Sequence, residues 1–258
     1  MGAGRMSLAA IVLTYNEEEN IAACLESLAW ADRRIVFDSF STDRTTELAR
    51  ALGAEVFQHP FENYAQQRNA ALERVVADWI FFVDADERVT PELAEEIRAV
   101  LAEKGPEVGW WVPRHNYIFG RLTLGAGWYP DYQFRLFRRG FARWERAVHE
   151  IAVVDGPTGY LKNPLIHYNY EGLADFIARQ ERYTDYDAQV LFREGIRPRL
   201  HTPYTQALRH FWWRFITLQG IRDGWHGLRL SVLMAYYEIV KYRKLAQLWK
   251  QTGRSGQP

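Results

Sequence analysis

The stretch Trp79-Ile80-Phe81-Phe82-Val83-Asp84-Ala85-Asp86-Glu87 decides how this chain is read. An apolar run of strand-forming residues ends in two carboxylates spaced i, i+2. At that spacing on an extended strand two side chains point the same way. Asp84 and Asp86 are therefore expected to face one crevice at the carboxyl end of a buried strand, where open α/β sheets bind their ligands. Two carboxylates there suit Mg²⁺ or Mn²⁺ carrying substrate phosphates, because hard cations take oxygen ligands and share them with phosphate. Taken alone, the triplet also fits a solvated turn.

Strand and helix alternate on either side of that stretch. Leu8 to Thr14 reads as a first strand. Asn16, with Glu19 three residues on, predicts a capping box for a helix whose apolar stripe is Ile21, Cys24, Leu25 and Leu28. Arg34 to Asp38 is the second strand. Ser41 to Asp43 cap a helix through Leu52, and Gly53 ends it. Glu55 to Gln58 is a short third strand, and a helix follows from about Asn63 to Val76. After the quoted strand, Thr90-Pro91-Glu92 opens another helix with Thr as N-cap and Pro at the first position. Repeated β-α units imply a mostly parallel sheet flanked by helices. Three of its strands end in polar groups: Thr14-Tyr15-Asn16, Asp38-Ser39 and Asp84-Ala85-Asp86. Each alone fits a turn; together they suit a nucleotide crevice.

Residues 107–170 are less regular, with strands expected at Trp110 to Tyr117, Gln133 to Phe137, Ile151 to Val154 and Leu165 to Tyr168. Helical spacing takes over from Gly172. The expected division is a catalytic domain over residues 7–170 and a helical appendage over 171–258. The whole chain of 258 residues has zero formal net charge. From Gly195 onward, however, eleven Lys or Arg face two acids, Asp223 and Glu238. Trp and Tyr are interleaved with them, a pattern that suits peripheral contact with an anionic membrane. It also fits a lid with a solvated basic face. No nucleic-acid-binding motif accompanies the charge. No segment reaches the roughly 18 apolar residues of a membrane span, and the apolar stretch from Met6 to Leu13 is too short for a signal peptide. The one cysteine, Cys24, excludes an internal disulfide and a thiolate metal cluster, and suits a reducing compartment.

Four ordered motifs resemble glycosyltransferase family 2: Leu13-Thr14-Tyr15-Asn16-Glu17-Glu18, Val36-Phe37-Asp38-Ser39-Phe40-Ser41-Thr42-Asp43, Gln67-Arg68-Asn69-Ala70-Ala71 and Asp84-Ala85-Asp86-Glu87. Phe134-Arg135-Leu136-Phe137-Arg138-Arg139 and Val148-His149-Glu150 extend the match toward the lipopolysaccharide-core β-glucosyltransferase branch. Asp223-Gly224-Trp225-His226-Gly227 resembles a turn of that branch. Phe40 departs from the pattern, since the family usually has Gly there. The resemblance implies a GT-A fold, a Rossmann-like sheet flanked by helices. It also implies an inverting transfer from a UDP-sugar to a glycolipid or lipopolysaccharide inner-core acceptor, on the cytoplasmic face of a bacterial inner membrane.

The same resemblance distributes roles. Thr14, Tyr15, Glu17 and Asp38 are expected at the nucleoside. Asp86 is expected on the metal, with Asp84 on ribose or metal. Arg68 is expected over the crevice against Asp84 or the diphosphate, either of which a guanidinium matches bidentately; it also fits the surface of an amphipathic helix. Arg135 and Arg138 suit the diphosphate or an anionic acceptor, although their odd spacing on a strand sets them apart. Glu150 is the expected base, with Asp131 as the other candidate. His149 suits metal, phosphate or a structural place. A nucleotidyltransferase would carry a Gly-rich basic loop after the first strand, where this chain has three glutamates. A non-catalytic binding module would have no need to keep Asp84, Asp86, Arg68 and Glu150 together.

Overall fold

The computed structural model describes residues 6–103, 105–146 and 150–254. The chain forms two compact units. The first runs to His115 and includes Asp131–His167; the second comprises Asn116–Pro130 and the chain from Tyr168 onward.

The first unit is built on four parallel strands, β1 (Leu8–Thr14), β2 (Arg33–Asp38), β3 (Glu55–Gln58) and β4 (Trp79–Asp84), in the order β3-β2-β1-β4. β1 is apolar throughout because it is covered on both faces, as parallel strands are. Its alternate residues feed two cores. Leu8, Ala10 and Val12 pack with Val36, Phe81 and Val83 against α1 (Ile21–Ser27), α2 (Thr45–Ala51) and α4 (Pro91–Glu103). Ala9 and Ile11 pack with Ile35, Phe37, Ile80 and Phe82 against α3 (Tyr64–Arg74). The sheet continues beyond β4 through β8 (Tyr132–Arg138), β6 (Gly109–Ile118), β12 (Leu165–Tyr170) and β5 (Glu87–Val89). The β4–β8 and β8–β6 pairs are antiparallel. β11 (Thr158–Tyr160) joins β6 in parallel, and β9 (Ala142–Glu145) pairs with β10 (Ile151–Val154) separately. A short strand, β7 (Arg121–Thr123), pairs with the end of β6.

The expected caps are present at two helices. Asn63 Oδ1 accepts from the Gln66 N–H at 2.9 Å, and Thr90 Oγ1 accepts from the Leu93 N–H at 3.1 Å. The first helix differs from its sequence expectation. Asn16 does not cap it; the helix begins at Ile21, with Asn20 at its N-cap. The N–H groups of the preceding segment bond to a neighbouring loop instead: Asn16 to Ser41 Oγ, Glu17 to Thr45 Oγ1 and Glu18 to Asp43 Oδ2, at 2.7–3.0 Å. Asn16 Oδ1 accepts in turn from the Thr42 N–H at 2.8 Å. Cross-loop bonding thus satisfies the donors that a capping box would have taken.

The second unit is helical: α5 (Leu173–Arg193), α6 (Thr202–Trp212), a π turn at Trp213–Thr217, a 3-10 turn at Gly220–Asp223 and the long α7 (Gly224–Arg254). Phe176 is fully buried against Tyr170, Phe119 and Tyr237. The Asp223-to-Gly227 segment is a junction rather than an open turn. Asp223 accepts from the N–H groups of Leu124 and Gly125, and His226 Nε2 lies 3.0 Å from Thr123 Oγ1. Gly227 is required because a Cβ there would sit 1.8 Å from the Gly220 carbonyl oxygen. Among the described residues no helix is long and apolar enough to cross a membrane.

Phe40 adopts φ +59°, the left-handed region that favours Gly, and its ring is largely exposed. A β-branched residue is worse there than Phe. Phe40→Val is therefore expected to lower stability by about 1–2 kcal/mol, with Phe40→Gly level or slightly stabilised. Urea unfolding of both variants checks this; equal losses in the two would place the cost in lost ring contacts instead.

Candidate functional site

The carboxyl ends of β1, β2 and β4 gather the polar residues that the sequence singles out. At the β1 and β2 ends, Asp38 is fully buried and organises the loops. Its carboxylate accepts from Thr14 Oγ1 at 3.0 Å, the Ser41 N–H at 2.9 Å and Gln58 Nε2 at 3.1 Å, and also from Ser41 Oγ. One buried charge is thereby satisfied by three different segments, as burial demands. Tyr15 stands beyond it, 61% exposed. Glu17 anchors the start of the next segment: its carbonyl accepts from the N–H groups of Asn20 and Ile21.

At the β4 end lies a network of buried charge. Arg135, on β8, donates to both oxygens of Asp84 and to Glu87 Oε1 at 2.7 Å. Glu87 is fully buried; its Oε1 also takes Arg114 at 3.3 Å, and its Oε2 accepts from the Asp84 N–H at 2.9 Å. Arg68, on α3, reaches Asp84 Oδ1 at 3.5 Å. Its guanidinium lies 5.0 Å from the Phe82 ring centre and 5.7 Å from that of Trp144. Burial opposes the Asp84 charge, but Arg135 and Arg68 outweigh it and hold the carboxyl far below the usual carboxylate range. Burial likewise lowers the Arg68 pKa and Asp84 counters it; for Arg135, Asp84 and Glu87 overcome burial and raise the pKa.

The rim of this network holds the remaining candidates. β4 ends at Asp84, and Ala85 and Asp86 form a turn, so the two carboxylates do not project side by side from one strand as the i, i+2 spacing predicts. Asp84 faces the arginines, whereas Asp86 Oδ2 lies 3.3 Å from Nε2 of His167, on β12. Asp131 has both oxygens engaged, Oδ2 by Arg114 at 2.7 Å and Oδ1 by Gln133 at 2.8 Å. Glu150 is partly exposed and close enough for its charge to favour the ionised Arg68.

Residues 9–154 match the family described as Glycosyl transferase family 2. The chain belongs to this family. It is 30% identical over 252 residues to the lipopolysaccharide core biosynthesis glycosyltransferase LpsC of Rhizobium meliloti (strain 1021), covering 90% of this chain and 91% of the relative. It is 26% identical over 254 residues to an uncharacterized glycosyltransferase of Rickettsia bellii (strain RML369-C), covering 93% and 86%. In three dimensions it is similar to the mannosyltransferase PcManGT of Pyrobaculum calidifontis, solved with GDP-Man and Mn²⁺. The TM-score is 0.56 at 18% identity, over 95% of this chain and 88% of that one. That likeness bears out the GT-A fold expected from the family 2 motifs.

The structure of this family 2 chain brings Thr14, Tyr15, Asp38, Arg68, Asp84, Asp86 and Arg135 to the ends of neighbouring strands. It removes Arg138 from that group. Arg138 pairs in register with Trp79 at the opposite end of β4, about 16 Å from Asp84 at the strand rise per residue. Its guanidinium lies over Phe141 instead. His149 lies outside the described residues. Cys24 is buried beneath the site, its thiol 3.6 Å from the Asp84 carbonyl oxygen; burial pushes its pKa up, as suits inert packing. Three further residues join the site: Glu87 and Arg114, to which the sequence reading assigns no role, and His167, which on a strand reads as a satisfied core histidine. Each carries a charged or imidazole side chain within a strand, which when buried requires a partner.

Removing Arg135 would leave Asp84 and Glu87 facing each other with less compensation. Arg135→Met is expected to lower the unfolding free energy by about 3–5 kcal/mol. Arg68→Met should cost less, since Arg68 makes one long contact with Asp84. Denaturant unfolding at neutral pH measures both; a loss of under about 1 kcal/mol for Arg135→Met would show that the network does not depend on it.

Proposed function

We propose that the protein transfers a hexose, glucose by the branch its motifs resemble, from a UDP-sugar to a glycolipid or lipopolysaccharide inner-core acceptor, with inversion at the anomeric carbon. The observation that carries this reading is the division of labour at the β4 end. Asp84 is held by arginines, whereas Asp86 is paired with His167, and both side chains stay partly exposed, at 34% and 24%. The relationship to LpsC supports the acceptor class, and an acceptor of that kind places the enzyme on the cytoplasmic face of the inner membrane.

The donor set fits a divalent cation. Asp86 offers a carboxylate to a hard ion, His167 adds a nitrogen ligand and donor phosphates complete the shell. Among the described residues no three His, Cys, Asp or Glu side chains converge, so donor phosphates would have to supply the remaining ligands. Bound Mg²⁺ or Mn²⁺ would neutralise charge on the departing diphosphate. Asp84 then serves by fixing Arg68 and Arg135, whose positive charge borders the same place. Tyr15 stacks on the base, and Asp38 shapes the loop beneath the nucleoside. Glu150 takes the proton of the acceptor hydroxyl as its oxygen bonds to the anomeric carbon and the bond to the diphosphate breaks. Asp131 suits this role less, because Arg114 and Gln133 already occupy its oxygens.

Asp86→Ala is expected to abolish the Mn²⁺ enhancement of UDP affinity with the fold intact. Calorimetry that finds UDP bound equally well with Mn²⁺, with chelator and by the variant would reject the assignment. Glu150→Gln keeps the shape without the basicity, so turnover should fall by about 10²-fold or more with donor binding nearly unchanged. Near-normal turnover would move the base elsewhere.

A further inference from the structure

The second unit presents an apolar stripe to water. Leu200, Tyr204, Leu208 and Trp212 recur every four residues at and along α6, so they stack on one side of it. Leu200 is 97% exposed, Leu208 71% and Trp212 61%. The other side of α6 is ordinary packing, with Pro203 and Ala207 buried. Ile216 and Trp225 add exposed apolar surface beyond the helix. Contiguous exposure on this scale marks an interaction surface rather than scattered surface residues.

Beside the stripe, and sharing Leu200 and Tyr204 with it, lies a groove of about 650 Å³. Arg197, Arg199, Arg243 and Lys250 line it, with no carboxylate among its described lining residues. Aromatic walls hold two of these cations. The Arg197 guanidinium lies 4.3 Å from the Trp249 ring centre, and Arg243 Nη2 is 3.4 Å from Tyr204 Oη. Other cations of this unit are turned to internal partners: Lys244 to Glu181 and Asp185, Lys241 to Glu238, and Arg214 to the Ala126 carbonyl. Four of the eleven cations after Gly195 are thus gathered at the groove.

We propose that this face, the Leu200-Tyr204-Leu208-Trp212 stripe with its four-cation groove, docks the protein on a bilayer rich in anionic phospholipid. A surface charged at its headgroups and apolar just beneath matches both halves of the face. A nucleic acid would match the cations and leave the stripe in water. A second copy would cover the stripe and bring like charges together. The purpose of docking rests on the membrane-acceptor reading above; its geometry does not.

The test is cosedimentation with vesicles of phosphatidylglycerol and phosphatidylethanolamine, against vesicles of phosphatidylcholine. Binding should favour the anionic vesicles and fall only in part with salt, which screens the cations and not the stripe. Arg199→Glu with Lys250→Glu, and separately Leu208→Glu with Trp212→Glu, should each weaken it by at least about tenfold, with UDP affinity by calorimetry and the circular dichroism melt unchanged. If the second pair misfolds, the first still decides. Equal binding to both vesicle types overturns the proposal. So does displacement by millimolar inorganic phosphate, which would mark a single phosphate pocket. Light scattering that finds a dimer abolished by the Leu208/Trp212 pair, with vesicle binding retained, would assign the face to a second copy. Sugar transfer to a detergent-dispersed acceptor is assayed in parallel. Vesicle binding without transfer would retain the docking and remove the function; transfer without vesicle binding would do the reverse.

Discussion

The contact between Arg135 and the pair Asp84 and Glu87 is the constraint on which the candidate site depends. One guanidinium, brought by an antiparallel strand, meets two carboxylates at the end of a parallel one. Two carboxylates this close, and one of them fully buried, are compatible only with cations between them. Arg68 and Arg114 complete the compensation from a helix and from another strand. The junction between the parallel and antiparallel halves of the sheet is therefore electrostatic at the crevice and apolar below it, where Phe82 stacks on Phe137. Such a network specifies register: a one-residue slip of β8 would turn Arg135 away from Asp84 and deprive both carboxylates of their shared cation.

Asp38 plays a comparable part for the neighbouring loops. It gathers Thr14, Ser41 and Gln58, and the segments around residues 16–18 and 41–45 are then laced to each other through backbone N–H groups. The exposed ring of Tyr15 therefore stands on a fixed base rather than on a free loop. Loops carry function best when a scaffold positions them. Here the scaffold consists of buried polar contacts made by residues that the family motifs include.

What could be read from the sequence follows from the range of the interactions. β1, β2 and β4 are covered on both faces and announce themselves as continuous apolar runs; Asn63 and Thr90 announce their helices because a cap is local. β5 and β11 have three residues each and exist through pairing with distant segments, so no local pattern marks them. Asn16 was misread as a cap because its partner, Thr42, lies 26 residues on. The Asp84–Asp86 spacing was legible as a motif, but the turn that separates their directions was not. Glu87 was in plain view, yet its partners are 27 and 48 residues away. Arg138 lies on the same strand as Arg135 but beside the other end of β4, a distance that only the strand register shows.

The turn that carries Asp86 is closed by its own residues. Glu87 accepts from the Asp84 N–H, and Arg88 donates to the carbonyls of Ala85 and Glu87 at 2.7 and 2.8 Å. The conformational entropy of these residues is thus surrendered when the chain folds. A ligand arriving at Asp86 has no loop to order, so less of its interaction free energy is cancelled on association. Rigidity here also narrows the distances that Asp86 can span, and that makes the site selective in ligand size before any specific contact is made.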